Sequence, residues 1–231
     1  MQPLQPNTSY HLFNHANGFE NIFGDEANYY FFLEKYRKYI GPVAETYAYC
    51  LMPNHFHLVV RIRKREVLDR IITSNFSKVS TVNRNCDKSS GLLPDKTLTA
   101  NNFGKVLTND EIEKYLSKQF ANLFSSYTQS YNKVNGRMGS LFIKNFKRQP
   151  IEDRTQFLNT VVYVHRNPIH HGFCRFYDEW KFSSYNEILN RNNNLVNAAA
   201  LLKMFSGGDA FTEAHGVSLK NFKQTLSLEI P

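Results

Sequence analysis

Apolar and polar positions alternate along this chain in segments that change period. Tyr10 to Asn14 (YHLFN) reads as a short first strand. DEANYYFFLEKYRKY, residues 25 to 39, places Phe32, Leu33 and Tyr36 at helical spacing, with Asp25 able to cap the helix and Gly41-Pro42 to stop it. ETYAYCL, residues 45 to 51, is β-rich; a Met52-Pro53-Asn54 turn then leads into an apolar run from His55 to Ile62. Together these predict a β-hairpin with a slightly long loop. A moderate helix is expected over 66 to 75. A polar insertion with Pro94 and two glycines follows at about 83 to 109. Ile112, Leu116, Phe120, Leu123, Phe124 and Tyr127 mark a long helix over 110 to 131. Asn135-Gly136 is a turn, and 140 to 148 is expected as a strand. Residues 153 to 166 predict another helix, closed near Asn167-Pro168. The tail holds a short helix at 197 to 205, a Gly207-Gly208 break and a weak last segment.

Helices and hairpins in this order give an α+β class with a mainly antiparallel sheet of about four to five strands. The expected division is a domain over 1 to 190 and a helical extension over 191 to 231. The chain has 231 residues, 42% of them hydrophobic, enough for a sizeable core. Its net charge of +8 favours an anionic partner, nucleic acid first. Cys50, Cys86 and Cys174 show no metal-type spacing, which reads as a reducing compartment. The N-terminus lacks a basic-then-apolar leader, and no apolar run approaches the roughly 20 residues that span a bilayer, so no membrane partner and a cytoplasmic location are expected.

The candidate chemistry lies in HFHLVV, residues 55 to 60. Side chains alternate along a strand, so His55, His57, Val59 and Arg61 share one face and Phe56, Leu58, Val60 and Ile62 the other. The second set belongs to the core. Two imidazoles on one rigid strand can converge on a cation, although a bare pair more often marks a solvated sheet face. In DRTQFLNTVVYVHRN, residues 153 to 167, Gln156, Thr160, Tyr163 and Asn167 make a polar stripe opposite the valines. Tyr163 and Asn167 are one turn apart, provided that the last turn survives the proline. A phenol and an amide at that spacing suit a nucleophile beside a bound metal; a phenol at a sheet–helix seam is the plainer alternative.

Three stretches carry a family resemblance. YCLMPNHFHLVV (49 to 60) resembles the histidine–hydrophobe–histidine strand of HUH-type single-tyrosine transposases. YVHRNPIHHGFCRFYDEWKFSSY (163 to 185) resembles the closing motif of their REP-associated tyrosine transposase branch, and YNKVNGRMGSLFIKNFK (131 to 147) its Asn–Gly-Arg-x-Gly–Leu-Phe segment. The three come in the family order. The resemblance implies a ferredoxin-like, HUH-type fold. It implies metal-dependent cleavage and strand transfer on single-stranded or hairpin DNA through a 5′-phosphotyrosine. His55, His57 and Asn167 match the metal ligands, for Mg²⁺ or Mn²⁺, and Tyr163 matches the nucleophile. Tyr127 and Tyr131 are competing tyrosines, and His165 reads as structural or DNA-facing. A hairpin-binding protein of the same fold without transposition is the alternative, and a homodimer is left open. For DNA contact, residues 114 to 151 hold seven Lys/Arg and no acid. Lys133, Arg137, Lys144, Lys147 and Arg148 are the candidates there, with Arg61, Arg63, Lys64 and Arg65 just beyond the histidine strand.

Overall fold

The computed structural model describes residues 3–82, 107–192 and 195–216. The polar stretch expected at 83 to 109 lies, except for its last three residues, outside the described residues. Four strands form one sheet: β1 (Ser9–His15), β2 (Ala44–Met52), β3 (His55–Ile62) and β4 (Lys147–Ile151), in the order β2-β3-β1-β4. Every pairing is antiparallel. Helices α1 (Glu26–Tyr39), α2 (Arg65–Val82), α3 (Asn109–Val134), α4 (Arg154–His170), α5 (Tyr185–Leu189), α6 (Ala198–Phe205) and α7 (Gly208–Gly216) complete the α+β fold. Among the described residues no helix is long and apolar enough to cross a membrane.

Helices α1 and α3 cover the sheet face that carries Phe56. The Phe32 and Phe124 rings pack on Phe56 at 5.4 and 5.9 Å, and Tyr127 and Phe142 close the cluster around Phe32. Phe32, Phe56, Leu116 and Leu123 are fully buried, as the sequence periodicity requires. Helix α1 starts at Asp25, whose carboxylate accepts from the Asn28 amide. Helix α3 starts at Thr108 in a reciprocal capping box with Glu111.

Helix α4 covers the other sheet face, against β2 and β3, through contacts such as Tyr47 with Phe157 at 5.2 Å. The histidine face of β3 is therefore not solvated. Of the eight residues of β3 only Arg61 is exposed.

Three expected boundaries move. The hairpin turn has two residues, Pro53 and Asn54, because Met52 pairs with His55 in the ladder. The strand expected at 140 to 148 is shorter and later. Gly139 (φ +87°) and Asn145 (φ +64°) take left-handed conformations that interrupt an extended run, and regular pairing starts at Lys147. Helix α4 passes through Pro168 and ends four residues beyond the expected point. Pro168 removes one backbone donor, but it is buried with Val161, Val162 and Val164, and this packing outweighs the loss. The helix then closes on Gly172 (φ +74°): Phe173 N–H reaches the Pro168 carbonyl and Gly172 N–H the Ile169 carbonyl, a Schellman motif.

The outer edge of β2 is not open. Leu51 N–H donates to the Phe182 carbonyl, Ser184 N–H to the Tyr49 carbonyl, and Asn197 N–H to the Thr46 carbonyl. The Trp180 indole adds a bond to the Leu51 carbonyl at 3.0 Å. The Trp–Ser–Ser–Tyr motif thus covers a sheet edge that would otherwise offer unpaired backbone groups.

Candidate functional site: a histidine cluster beneath helix α4

His55 and His57 project from β3 toward α4 and are only 5% and 3% exposed. Their rings stand 5.2 Å apart and nearly perpendicular. His55 Nδ1 is 2.8 Å from the Asn54 amide oxygen, and His57 Nδ1 is 3.0 Å from His11 Nε2 on β1. Both Nδ1 atoms are thus engaged, which leaves Nε2 as the ligand-capable nitrogen of each ring.

Helix α4 brings the second half of the site. Because the helix survives Pro168, Asn167 stays one turn from Tyr163, and its amide Nδ2 donates to the Tyr163 carbonyl at 3.0 Å. That bond leaves the Asn167 amide oxygen for other partners. The Asn167 side chain lies in hydrogen-bonding reach of His55. The Tyr163 ring stands edge-on to His57 at 5.6 Å and to His11 at 5.8 Å. The four residues singled out in the sequence, from β3 and α4, are therefore brought together.

Burial sets the protonation state. It is the largest cause that lowers His55 to about 4 and His57 well below the ordinary imidazole value; neighbouring imidazoles (His171 and His15 for His55, His11 and His55 first for His57) push the same way. Burial also lowers His11 to about 3. Neutral rings are what metal ligation needs. Among the described residues no three His, Cys, Asp or Glu side chains are grouped to hold a metal ion; Asn167, the third ligand that the family resemblance implies, lies beside His55. Two imidazole nitrogens and one amide oxygen fit a divalent ion that keeps open positions for oxygen ligands.

Sequence reasoning missed three members of the cluster. His11 and His15 lie on β1, and His15 is the register partner of His55, with its ring stacked at 5.6 Å. His171, the C-cap of α4, meets His55 at 5.0 Å. The only signal was His11 inside the expected strand 10 to 14, with His15 just past its end; the pairing of that strand with β3 is a long-range fact.

The other candidate tyrosines sit elsewhere. Tyr127 and Tyr131 are on α3, across the sheet from the histidines, and their hydroxyls donate to the Ile22 and Asn21 carbonyls at 2.7 and 2.9 Å. Burial raises both phenols, Tyr127 strongly. His165 is structural. Its Nδ1 is 2.9 Å from His215 Nε2 and its Nε2 is 2.8 Å from Ser184 Oγ, all of them buried. His215 Nδ1 donates to the Phe211 carbonyl at 2.7 Å. That carbonyl can only accept, so every proton in the relay from Ser184 to Phe211 is fixed for neutral rings.

The basic candidates divide by what they already hold. Arg63 pairs with Glu45 and bonds the Gly41 carbonyl, Arg65 joins Asp69 to Asn109 and the Leu107 carbonyl, and Arg137 pairs with Glu20 and bonds the Ser140 carbonyl. Arg148 stacks on Phe146 at 5.2 Å, on the α3 side of the sheet. Lys64, Lys133, Lys144 and Lys147 are exposed, as is Arg61, which bonds Asn7. Lys147 pairs with Phe13 in the β1–β4 register and so shares the histidine face.

No family model matches the chain. A curated Haemophilus influenzae protein named a REP-associated tyrosine transposase is 20% identical over 184 residues, covering 79% of this chain and 75% of that protein. A solved structure described as the REP-associated tyrosine transposase bound to a REP hairpin aligns over 86% of this chain and 87% of its own, with a TM-score of 0.46 and 14% identity. The curated relative carries the same family name that the sequence motifs suggest.

Proposed function

We propose that this protein cleaves and rejoins single-stranded DNA at hairpin-forming repeats, with Tyr163 as nucleophile and a divalent metal, Mg²⁺ or Mn²⁺, at His55, His57 and Asn167. The observation that carries the reading is the edge-on approach of the Tyr163 ring to His57, with Asn167 one helical turn away at His55. The name of the curated relative supports the same class, and the solved structure's description names a REP hairpin as that protein's ligand.

In the proposed first step the Tyr163 oxygen attacks a backbone phosphorus. The new bond is the phosphotyrosine ester; the bond to the 3′ oxygen breaks, and that oxygen leaves as a hydroxyl once protonated. An incoming 3′-hydroxyl reverses the step and releases the phenol. The phosphodiester's energy is kept in the covalent link, so no nucleotide cofactor is needed. His55, His57 and Asn167 would hold the divalent ion, which would supply charge withdrawal at the phosphate. The chain's own part is positional. The β3 ladder fixes the imidazole spacing, α4 fixes the phenol, and burial beneath α4 keeps the imidazoles neutral.

The test is incubation of the purified protein with end-labelled single-stranded hairpin DNA and Mg²⁺ or Mn²⁺. A slow-migrating, protease-sensitive band is expected, lost in Tyr163→Phe and kept in Tyr127→Phe. Hairpin binding without any adduct would leave a DNA-binding protein of this fold. Cleavage that persists in Tyr163→Phe would overturn the nucleophile.

A further inference from the structure

Across the sheet from the histidines, beneath α3, lies a cavity of about 510 Å³ that the cleavage proposed above does not use. Its origin is a mismatch in the β1–β4 pairing. β1 advances three residues from Phe13 to Ala16, while the facing chain advances five, from Lys147 back to Phe142. The two extra residues leave the ladder, and Asn145 takes the left-handed conformation of the bend. Asn14 pins that bend: its amide Nδ2 donates to the Ile143 carbonyl at 3.1 Å, and its Oδ1 accepts the His15 N–H at 3.0 Å. The cavity lies between the bend and the α3 face that carries Phe124, Thr128 and Asn132. Its volume is in the range of small-molecule sites.

Arg148 gives the cavity its chemistry. Leu12 is its register partner, so Arg148 lies on the α3 face of β4 while its neighbour Lys147 lies on the histidine face. Arg148 Nε and Nη1 are buried and have no hydrogen-bond partner. The Phe146 ring, 5.2 Å from the guanidinium, favours its charge but gives those N–H groups no acceptor. The exposed Lys144 adds a second cation, and among the described residues no carboxylate lines the cavity. Glu113 acts on Arg148 through its charge and is not among the lining residues. Two dry, unpaired donors on one guanidinium are unfavourable unless a ligand meets them. The planar fork matches two oxygens of a phosphate. The half-buried Phe124 and Phe146, with rings 5.4 Å apart, supply an apolar wall of the kind a base packs on.

We propose that this cavity binds an unpaired nucleotide, its phosphate on Arg148 and Lys144 and its base against Phe124 and Phe146. The nucleotide belongs to a DNA strand or is free, since both present the same phosphate and base. β4 is the edge strand of the sheet, so a DNA strand crossing that edge meets Arg148 on one face and Lys147 on the other. The site does not rest on Tyr163 or on a metal.

The test follows the Arg148 Nε–H signal by NMR in the full chain, in EDTA so that neither metal nor cleavage enters. The signal is assigned by its loss in Arg148→Lys. Three probes are titrated: thymidine 5′-monophosphate, thymidine, and an oligothymidylate of about eight nucleotides. At least one of the two phosphate-bearing probes should move the signal, and thymidine should not. Movement by the oligonucleotide alone confines the site to a DNA strand, by the monophosphate alone to free nucleotides, and by both admits either. For the probe that binds, Arg148→Met should weaken the affinity about 10-fold, and Arg148→Lys, which keeps the charge without the fork, about 3-fold. Should Arg148→Met fail to fold, the wild-type titrations and Arg148→Lys still decide. A signal that ignores both phosphate-bearing probes, one that follows thymidine as closely as its monophosphate, or a folded Arg148→Met that binds like wild type overturns the proposal. None of these outcomes touches the cleavage proposed above, which has its own adduct assay.

Discussion

Replacing His165 and His215 together by glutamine should make the protein less sensitive to acid. Both rings are buried in the relay that ties α4 to Ser184 and α7. Burial is the main cause that lowers His215 to about 4 and His165 well below the ordinary value, with the charge of His215 adding to the latter. A depressed imidazole pKa means that the unfolded chain binds protons the folded chain does not. Stability is then complete above the unfolded pKa, near 6.5, and falls as pH drops toward the folded value. At pH 5 each neutral ring opposes about 1.5 units of protonation, or about 2 kcal/mol, so the pair accounts for about 4 kcal/mol of loss between pH 8 and pH 5. Urea titrations at both pH values and constant ionic strength give the two losses. The other buried histidines titrate in both proteins, so the difference isolates the relay. The double variant starts less stable at pH 8, because the relay is imperfectly replaced, but its loss on acidification should be about 4 kcal/mol smaller. Losses that agree within about 1 kcal/mol would mean that the relay does not exclude protons, and the argument from burial would fail.

Other outcomes follow from single contacts. Tyr127→Phe removes a 2.7 Å bond to the buried Ile22 carbonyl and should cost about 1–3 kcal/mol in urea melts without changing adduct formation. Asp153→Ala removes the N-cap of α4, a 2.8 Å bond to Gln156 N–H, and should cost about 1 kcal/mol; an unchanged melt would show the cap to be redundant. Lys144→Ala with Lys147→Ala should lower the slope of log K against log salt for single-stranded DNA by about 1.4; an unaltered slope takes these lysines off the strand's path.

Much of the site was legible because its spacing is local. His55 and His57 share a face by strand parity, and Tyr163 and Asn167 share one by helical repeat. What escaped was non-local. No pattern in β1 says that it lies beside β3, so His11 and His15 could not be joined to the pair. Nor does alternation reveal that α4 buries the second face of β3, since an alternating strand reads the same beneath a helix or beneath water. The Pro168 boundary lies beyond the expected point because local backbone preference competes with tertiary packing, and the burial of Pro168 with Val161, Val162 and Val164 outweighs one missing donor. The strand expected at 140 to 148 starts only at Lys147 because Asn145 looks unremarkable in sequence, whereas its left-handed backbone interrupts the extended run.

The parity of β3 has a consequence for how errors in this chain would show. Since β3 is hydrogen-bonded on both sides, a residue added inside the strand, between His55 and Phe56, could not be absorbed by sliding at a free edge and would have to be taken up as a bulge. Without a bulge it would turn the rest of the strand over like a glove, presenting Phe56 and Leu58 to the layer under α4 and driving His57 into the aromatic layer. Folding and competence for chemistry thus share one arithmetic: an odd insertion within the strand endangers both at once.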